Sequence, residues 1–209
     1  IDTTVNGFPL IMIHDESDVE LAGVDLGEVL ITGSSDIRIR DASLGGIFID
    51  NSIGIEIAYV YISNCDFGMY LIDSSNIRLD FVDIENADGV GIYMENSSNI
   101  AIYNSTIIRN GEDGIYVYSN CQDVRIRYSN IFSNEEFGIY AFYSNVSAAF
   151  NYWGDPNGPV RTMFPDATDP EEIYSYGGYI TVQPYLMEPP HAFDGAPPEI
   201  LFIWWSPEQ

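Results

Sequence analysis

A phrase of glycine, an apolar residue and an aromatic one returns five times at nearly constant distance: GIFID at 46, GMYLI at 68, GIYME at 91, GIYVY at 114 and GIYAF at 138. The steps are 22, 23, 23 and 24 residues. A second phrase, Asn, Asp or Gly followed by apolar-x-apolar, starts at Asp18, Asp36, Gly54, Asn76, Asn99, Asp123 and Asn145. A third closes on Asn64, Asn86, Asn110 and Asn134. Each period thus holds three short segments whose apolar residues fall at every second position. That spacing, with β-branched and aromatic residues dominant, excludes helices. A leucine-rich horseshoe is excluded as well, because its Leu-rich consensus and helical side are missing.

Three short strands in about 23 residues, each paired with its equivalent one coil away at roughly 4.8 Å, make a parallel β-helix. The expected fold is all-β, a single-stranded right-handed solenoid of about 6–7 coils of 18–24 residues with terminal caps. Alternation then turns Ile47, Met69, Ile92, Ile115 and Ile139 inward as one core column. The glycine opening each phrase is expected to supply the backbone freedom of a corner. Expected boundaries are an N-terminal cap strand at 1–17, the solenoid at 18–159, a capping segment at 160–188, and a Pro-rich linker with an apolar tail at 189–209.

The same alternation turns Phe48, Tyr70, Tyr93, Tyr116 and Tyr140 outward, extended by Tyr118 and Phe142. Regularly spaced aromatics can stack on sugars or on one another. Beside them runs an acidic turn of Asp66, Asp88, Glu112 with Asp113, and Glu135 with Glu136. Like charges at coil spacing repel, so they splay into water or take a cation, for which calcium is the fitting ion. No other cofactor is expected. On the middle strand Glu20, Arg38, Glu56, Arg78, Ala101 and Arg125 suit a salt-bridge ladder of structural value only, which places Arg38 and Arg78 outside catalysis.

Charge narrows the partners. Against 32 acidic residues stand 7 basic ones, all Arg, for a net charge of −25. Such a surface repels nucleic acid and anionic lipid. No apolar run reaches the roughly 18 residues of a membrane helix. Cys65 and Cys121 fall at different corners and are expected as free thiols, while Met69 and Met94 read as core. Asn96, Asn104 and Asn145 stand in N-x-S/T triplets, acceptors for glycosylation in a secreted chain. The chain opens on Ile1 without Met or a leader, which suits a processed piece of a longer protein.

The phrases, together with TTVNGFPLIMI near the start and NYWGDPNGP near 151, resemble the NosD-like and CASH-type (carbohydrate-binding and sugar-hydrolase) β-helix families over about residues 1–188. The resemblance implies the right-handed fold and an extracellular or cell-surface setting. Copper binding does not carry over, since two His, two Cys and five Met form no clustered ligand set.

For a polysaccharide-degrading enzyme, the carboxylates offering themselves are Asp50 and Glu95, two coils apart on the aromatic strand. A lyase would need a basic helper there, yet that strand carries no Arg, and His14 and His191 are far from it in sequence. The GHG and DPHE phrases of pectin hydrolases and alginate epimerases are absent. The reading is a structural or adhesive surface module whose aromatic ladder meets a polysaccharide. A hydrolase or lyase stands as the alternative, with a self-assembling surface subunit contacting copies or adjoining domains after residue 200 as a third.

Overall fold

The computed structural model describes residues 4–5, 7–161 and 172–190; His191 and the apolar tail lie outside them. Strands Phe8–His14, Glu28–Thr32, Ile47–Asp50, Met69–Ile72, Ile92–Glu95, Ile115–Val117, Ile139–Phe142 and Glu172–Tyr176 pair in parallel, each with its equivalent one coil on. They build one face. A second series runs from Glu20–Ala22 through Ser35–Leu44, Ile53–Ser63, Ser75–Glu85, Ser98–Tyr103, Gln122–Arg127 and Asn145–Ser147 to Tyr179–Thr181. Its long strands bend at Asp41, Tyr59 and Phe81, all with positive φ, and so make a second and a third face. In later coils the third face consists of the separate strands Thr106–Ile108 and Asn130–Phe132. The result is a right-handed parallel solenoid of about six turns.

The expected core column is in register and buried, from Ile47 through Met69, Ile92 and Ile115 to Ile139. Parallel pairing starts inside the expected N-terminal cap, at Phe8–His14, and reaches into the expected C-terminal one through Glu172–Tyr176 and Tyr179–Thr181. An antiparallel partner, Thr4–Val5, closes the first edge. Near the other end Trp153 is fully buried in line with Ile131 and Ile107.

The second phrase marks a left-handed corner. Asp18, Asp36, Asn76, Asn99 and Asp123 have φ between 54° and 57°, and Gly54 has φ 74°. Asn and Asp tolerate that region because their short side chains bond locally. Asn145 does not join them among the positive-φ residues.

Two expectations fail here. The glycines of the aromatic phrase are not left-handed; they are needed because the next coil crowds them. A Cβ on Gly91 would meet the Gly114 carbonyl oxygen at 2.6 Å, and one on Gly114 would meet that of Gly138 at 2.8 Å. The third phrase is also two columns, not one. Glu85 pairs with Ile108, so Asn86 is level with Arg109, and Asn110 lies one step further on, level with Ala87. Asn64 and Asn86 are exposed left-handed residues, whereas Asn110 and Asn134 are fully buried.

What holds the corners together is a set of buried polar ladders. The amide of Ser34 donates to Ser52 Oγ, that of Ser52 to Ser74 Oγ, and that of Ser74 to Ser97 Oγ, each at 3.1 Å. Val82, Ser105 and Ser129 repeat the pattern onto Ser105, Ser129 and Asn151. Ala87 and Asn110 donate to the Asn110 and Asn134 amide oxygens. A buried N–H left without an acceptor costs ~1–3 kcal/mol, so every rung of these ladders matters.

One rung is weak. Cys121 stands where the series would place a serine, and the Ser97 amide meets its sulfur instead of an oxygen. The thiol is buried and free, and burial pushes its pKa up. Cys121→Ser should therefore raise unfolding stability in urea by ~0.5–1 kcal/mol. A loss of stability would show that the corner is fitted to sulfur rather than short of an acceptor.

Candidate functional site

Backbone pairing puts Phe48, Tyr70, Tyr93, Tyr116 and Tyr140 in one outward column, as the alternation requires. Tyr174 continues it one coil further. All are half-buried, because each leans on its neighbour. Tyr116 and Tyr140 stack at 4.7 Å with planes 3° apart; Tyr70 and Tyr93 lie 5.0 Å apart, tilted by 37°. Rings stacked coil on coil cover each other's faces, so the stacked rungs show water mainly ring edges and phenol hydroxyls.

A second outward column runs beside the first. It begins with His14, Thr32 and Asp50, passes Ile72 and Glu95, and continues through Tyr118 and Phe142 to Tyr176. Its upper half is a parallel aromatic stack, with Tyr118 on Phe142 at 5.3 Å and Phe142 on Tyr176 at 5.5 Å. Tyr93 is perpendicular to Tyr116 and swings toward this column, where its hydroxyl donates to Glu95 Oε2 at 2.9 Å. Burial, then this bond, push the Tyr93 phenol well above its ordinary pKa; burial first, with Tyr140 next, raises Tyr116 to about 12. Both phenols stay protonated at neutral pH.

Asp50 and Glu95 do share a column, with Ile72 on the rung between them. His14 corrects the sequence reading: though distant in sequence, it occupies this very column. Its Nδ1 lies 2.8 Å from Thr32 Oγ1 and its Nε2 3.3 Å from Asp15.

The acidic turn is an enlarged corner. Third face and aromatic face are separated by a short link in the early coils, Leu44 to Ile47, and by a longer one from Ile62 to Met69 onward. Asp66, Asp88, Glu112, Glu135 and Glu136 are exposed on this lip, alongside the Tyr column. Asp113 departs from the row. It is 3% exposed and accepts the Phe137 amide at 3.0 Å. Among the described residues no three His, Cys, Asp or Glu side chains gather as they would around a metal ion.

The arginines lie elsewhere. Arg38, Arg78 and Arg125 project from the second face in the expected register, but the ladder is mostly not made between coils. Only Arg38 to Glu56, at 3.3 Å, bridges neighbouring rungs of that column; Arg78 turns to Asp80, Arg125 to Asp123, and Glu20 is taken by Arg40. The geometric reason is that the next outward position on the same strand, two residues away, is also within reach of a long Arg side chain and competes with the next coil. Among the described side chains no Arg stands in either column of the aromatic face. The three Asn acceptors are engaged: Asn96 donates to Asp73, Asn104 to Asp80 at 2.8 Å, and Asn145 accepts the Tyr179 amide. Thr106, the hydroxyl residue of the Asn104 triplet, is buried.

With this geometry in hand, comparison with known proteins is direct. The pattern of the family described as right handed beta helix region matches residues 11–151. The chain belongs to the right-handed β-helix family. No curated protein matches the sequence. Among solved β-helix structures, the periplasmic alginate epimerase AlgG is similar with a TM-score of 0.55 at 19% identity, over 86% of this chain and 50% of that one. PfbA, a surface adhesin of Streptococcus pneumoniae, is similar with a TM-score of 0.50 at 10% identity, over 84% and 60%. This β-helix chain thus spans about half the length of AlgG, and at such identities the likeness is one of fold. No helix among the described residues is long and apolar enough to cross a membrane.

Asp113 makes a pH prediction. Burial above all, with Glu136 and Glu112 adding to it against the Phe137 bond, raises its carboxyl to about 7. Between the ordinary carboxylate value near 4 and that raised value, the folded state holds a proton that the unfolded chain has lost. Stability therefore falls as pH rises through this window and levels off above it. Asp113→Asn keeps an oxygen for the Phe137 amide and removes the titration. Its advantage in urea unfolding should grow from pH 4 to pH 8 by on the order of 2–4 kcal/mol. Parallel pH profiles for parent and variant would refute the assignment.

Proposed function

We propose that this chain is the β-helix module of an extracellular or cell-surface protein, structural and adhesive in role, that meets an extended glycan along its aromatic face. The observation that carries the reading is the in-register, half-exposed aromatic column from Phe48 to Tyr140. A rung spacing of about 4.8 Å is close to the advance of about 5 Å per residue of an extended sugar chain, so one sugar can face each coil. Phenol hydroxyls at that repeat offer donors and acceptors to sugar hydroxyls, and ring edges offer apolar contact. The resemblance to NosD-like and CASH-type sequences supports a carbohydrate-facing role. So do the structural neighbours, one a periplasmic alginate epimerase and one a surface adhesin. Calcium at the acidic lip belongs to the same proposal only as a bridge to acidic sugars.

A hydrolase would use Asp50 and Glu95, which flank Ile72 on an open face, with His14 two rungs from Asp50 and no Arg in the column among the described side chains. That arrangement supports contact more than bond cleavage.

Titration calorimetry against extended oligosaccharides tests the reading. Replacing Tyr93 and Tyr116 together by Ala should weaken binding by ~1–3 kcal/mol, from the apolar area that aromatic rings bury. Unfolding midpoints should fall modestly, since Tyr116 also stacks on Tyr140. A double variant that binds as the parent does would refute the platform.

A further inference from the structure

Charge around the aromatic face is one-sided, and this names the ligand more closely. The second column contributes Asp50 and Glu95 to the face itself. The lip beside the first column carries Asp66, Asp88, Glu112, Glu135 and Glu136, all exposed, at one or two per coil. On the opposite border Asp73 accepts a hydrogen bond from Asn96. The lip reaches the rings: burial first, and then the charge of Glu112, push the Tyr70 phenol up. Across these columns no described side chain is an Arg, and His14 stands alone at the first rung of the second column; five of the seven arginines project from the second face instead, at positions 38, 40, 78, 125 and 127.

The face is thus a track of aromatic edges and phenol oxygens walled by acceptors that recur at the coil pitch. A polyuronate would bring like charge to every rung, and the net charge of −25 adds to that repulsion. A neutral glucan would leave the acid row unused. A chain of amino sugars places one ammonium per residue beside lip carboxylates that recur in each coil at about the same 5 Å, with Asp50 and Glu95 two rungs apart on the other side of the rings.

We infer that the ligand class of the aromatic face is an amine-bearing glycan, a linear β-linked polymer of unacetylated amino sugars. This rests on the glycan reading above and adds the charge of the sugar to it. Ammonium groups sit against Glu95, Asp50 and the lip acids, while the sugar bodies lie along the Tyr93 to Tyr140 rungs. Recognition needs both halves, since carboxylates alone would take any polyamine.

The test is calorimetry on the folded chain, with chelator present, using four probes: a β-1,4-linked glucosamine hexamer, its N-acetylated counterpart, a β-1,4-glucan hexamer, and a linear polyamine of the same charge as the first. A hexuronate oligomer is run alongside. The glucosamine hexamer should bind at least about tenfold more tightly than any of the others. That preference should shrink with added salt and as the sugar amines lose their protons at higher pH. The Asp50→Asn/Glu95→Gln variant should lose several-fold in affinity for the amine form and keep its weak affinity for the acetylated one. If the acetylated or neutral hexamer binds as well as the amine form, the charge assignment is overturned and the glycan reading stands. If the uronate binds best, the charge assignment is overturned in sign. If the polyamine binds as tightly as the amino sugar, the bulk field alone is responsible and the assignment is overturned. If no glycan binds, both readings fall together.

Discussion

Everything in this molecule hangs on the parallel backbone ladder that ties each coil to the next. Once Ile92 pairs with Met69 on one side and Ile115 on the other, every neighbouring position is forced into a column. Side chains no longer answer to their sequence neighbours but to the residues one period away. Inward columns must then be apolar or supply hydrogen bonds along the axis. That is why isoleucine fills the strands while serine and asparagine fill the buried corners. Outward columns inherit the same pitch, so any chemistry placed there is repeated like marks on a ruler.

This one-dimensional order also explains how far the sequence could be read. The core column and the aromatic column were legible because a period of two within a strand and of about 23 between strands leaves no second solution for Ile47 or Tyr116. The left-handed corner at Asp36, Asn76 and Asn99 had a signal in the Asn, Asp or Gly that opens the second phrase, residue types that accept that conformation, but the corner freedom was expected of the glycines in the aromatic phrase instead. Less visible was anything that depends on one-residue offsets. The column of Asn64 and Asn86 parts from that of Asn110 and Asn134 by a single position, and turn chemistry alone does not reveal it. His14 was hidden because the first coils are 18 residues long and its partners are not in the repeated phrase. The serine ladder had a signal, a Ser just before the second phrase at 34, 52, 74 and 97, but Ser in a turn ordinarily reads as solvated.

Within the candidate site the outward direction of the aromatic column was legible, and the contacts its side chains make were not. Alternation says that Tyr93 points outward; it does not say that the ring turns across to Glu95 or that its neighbours stack face to face. Nor does it say that Asp113, one residue from exposed Glu112, is folded under the lip as a buried acceptor. Rotamers and corner geometry decide these points, and both lie below the resolution of a periodic pattern. The division of the surface into an acidic aromatic side and a side holding most of the arginines emerges only when the coils are stacked.

The glycine column has an ending that matters. Gly46, Gly68, Gly91, Gly114 and Gly138 are followed at the next rung by Glu172, which pairs level with Gly138's successor series through Ile139 and Ile173. Up to Gly114 the absent side chain is what lets the next carbonyl approach; Gly138 already has only ordinary contacts around it. At Glu172 a side chain returns to the column, and Val160 pairs level with it. The tight fit of glycine against carbonyl is thus confined to the middle coils, where a single added methyl group would pry neighbouring rungs apart, whereas at Gly138 it would find room.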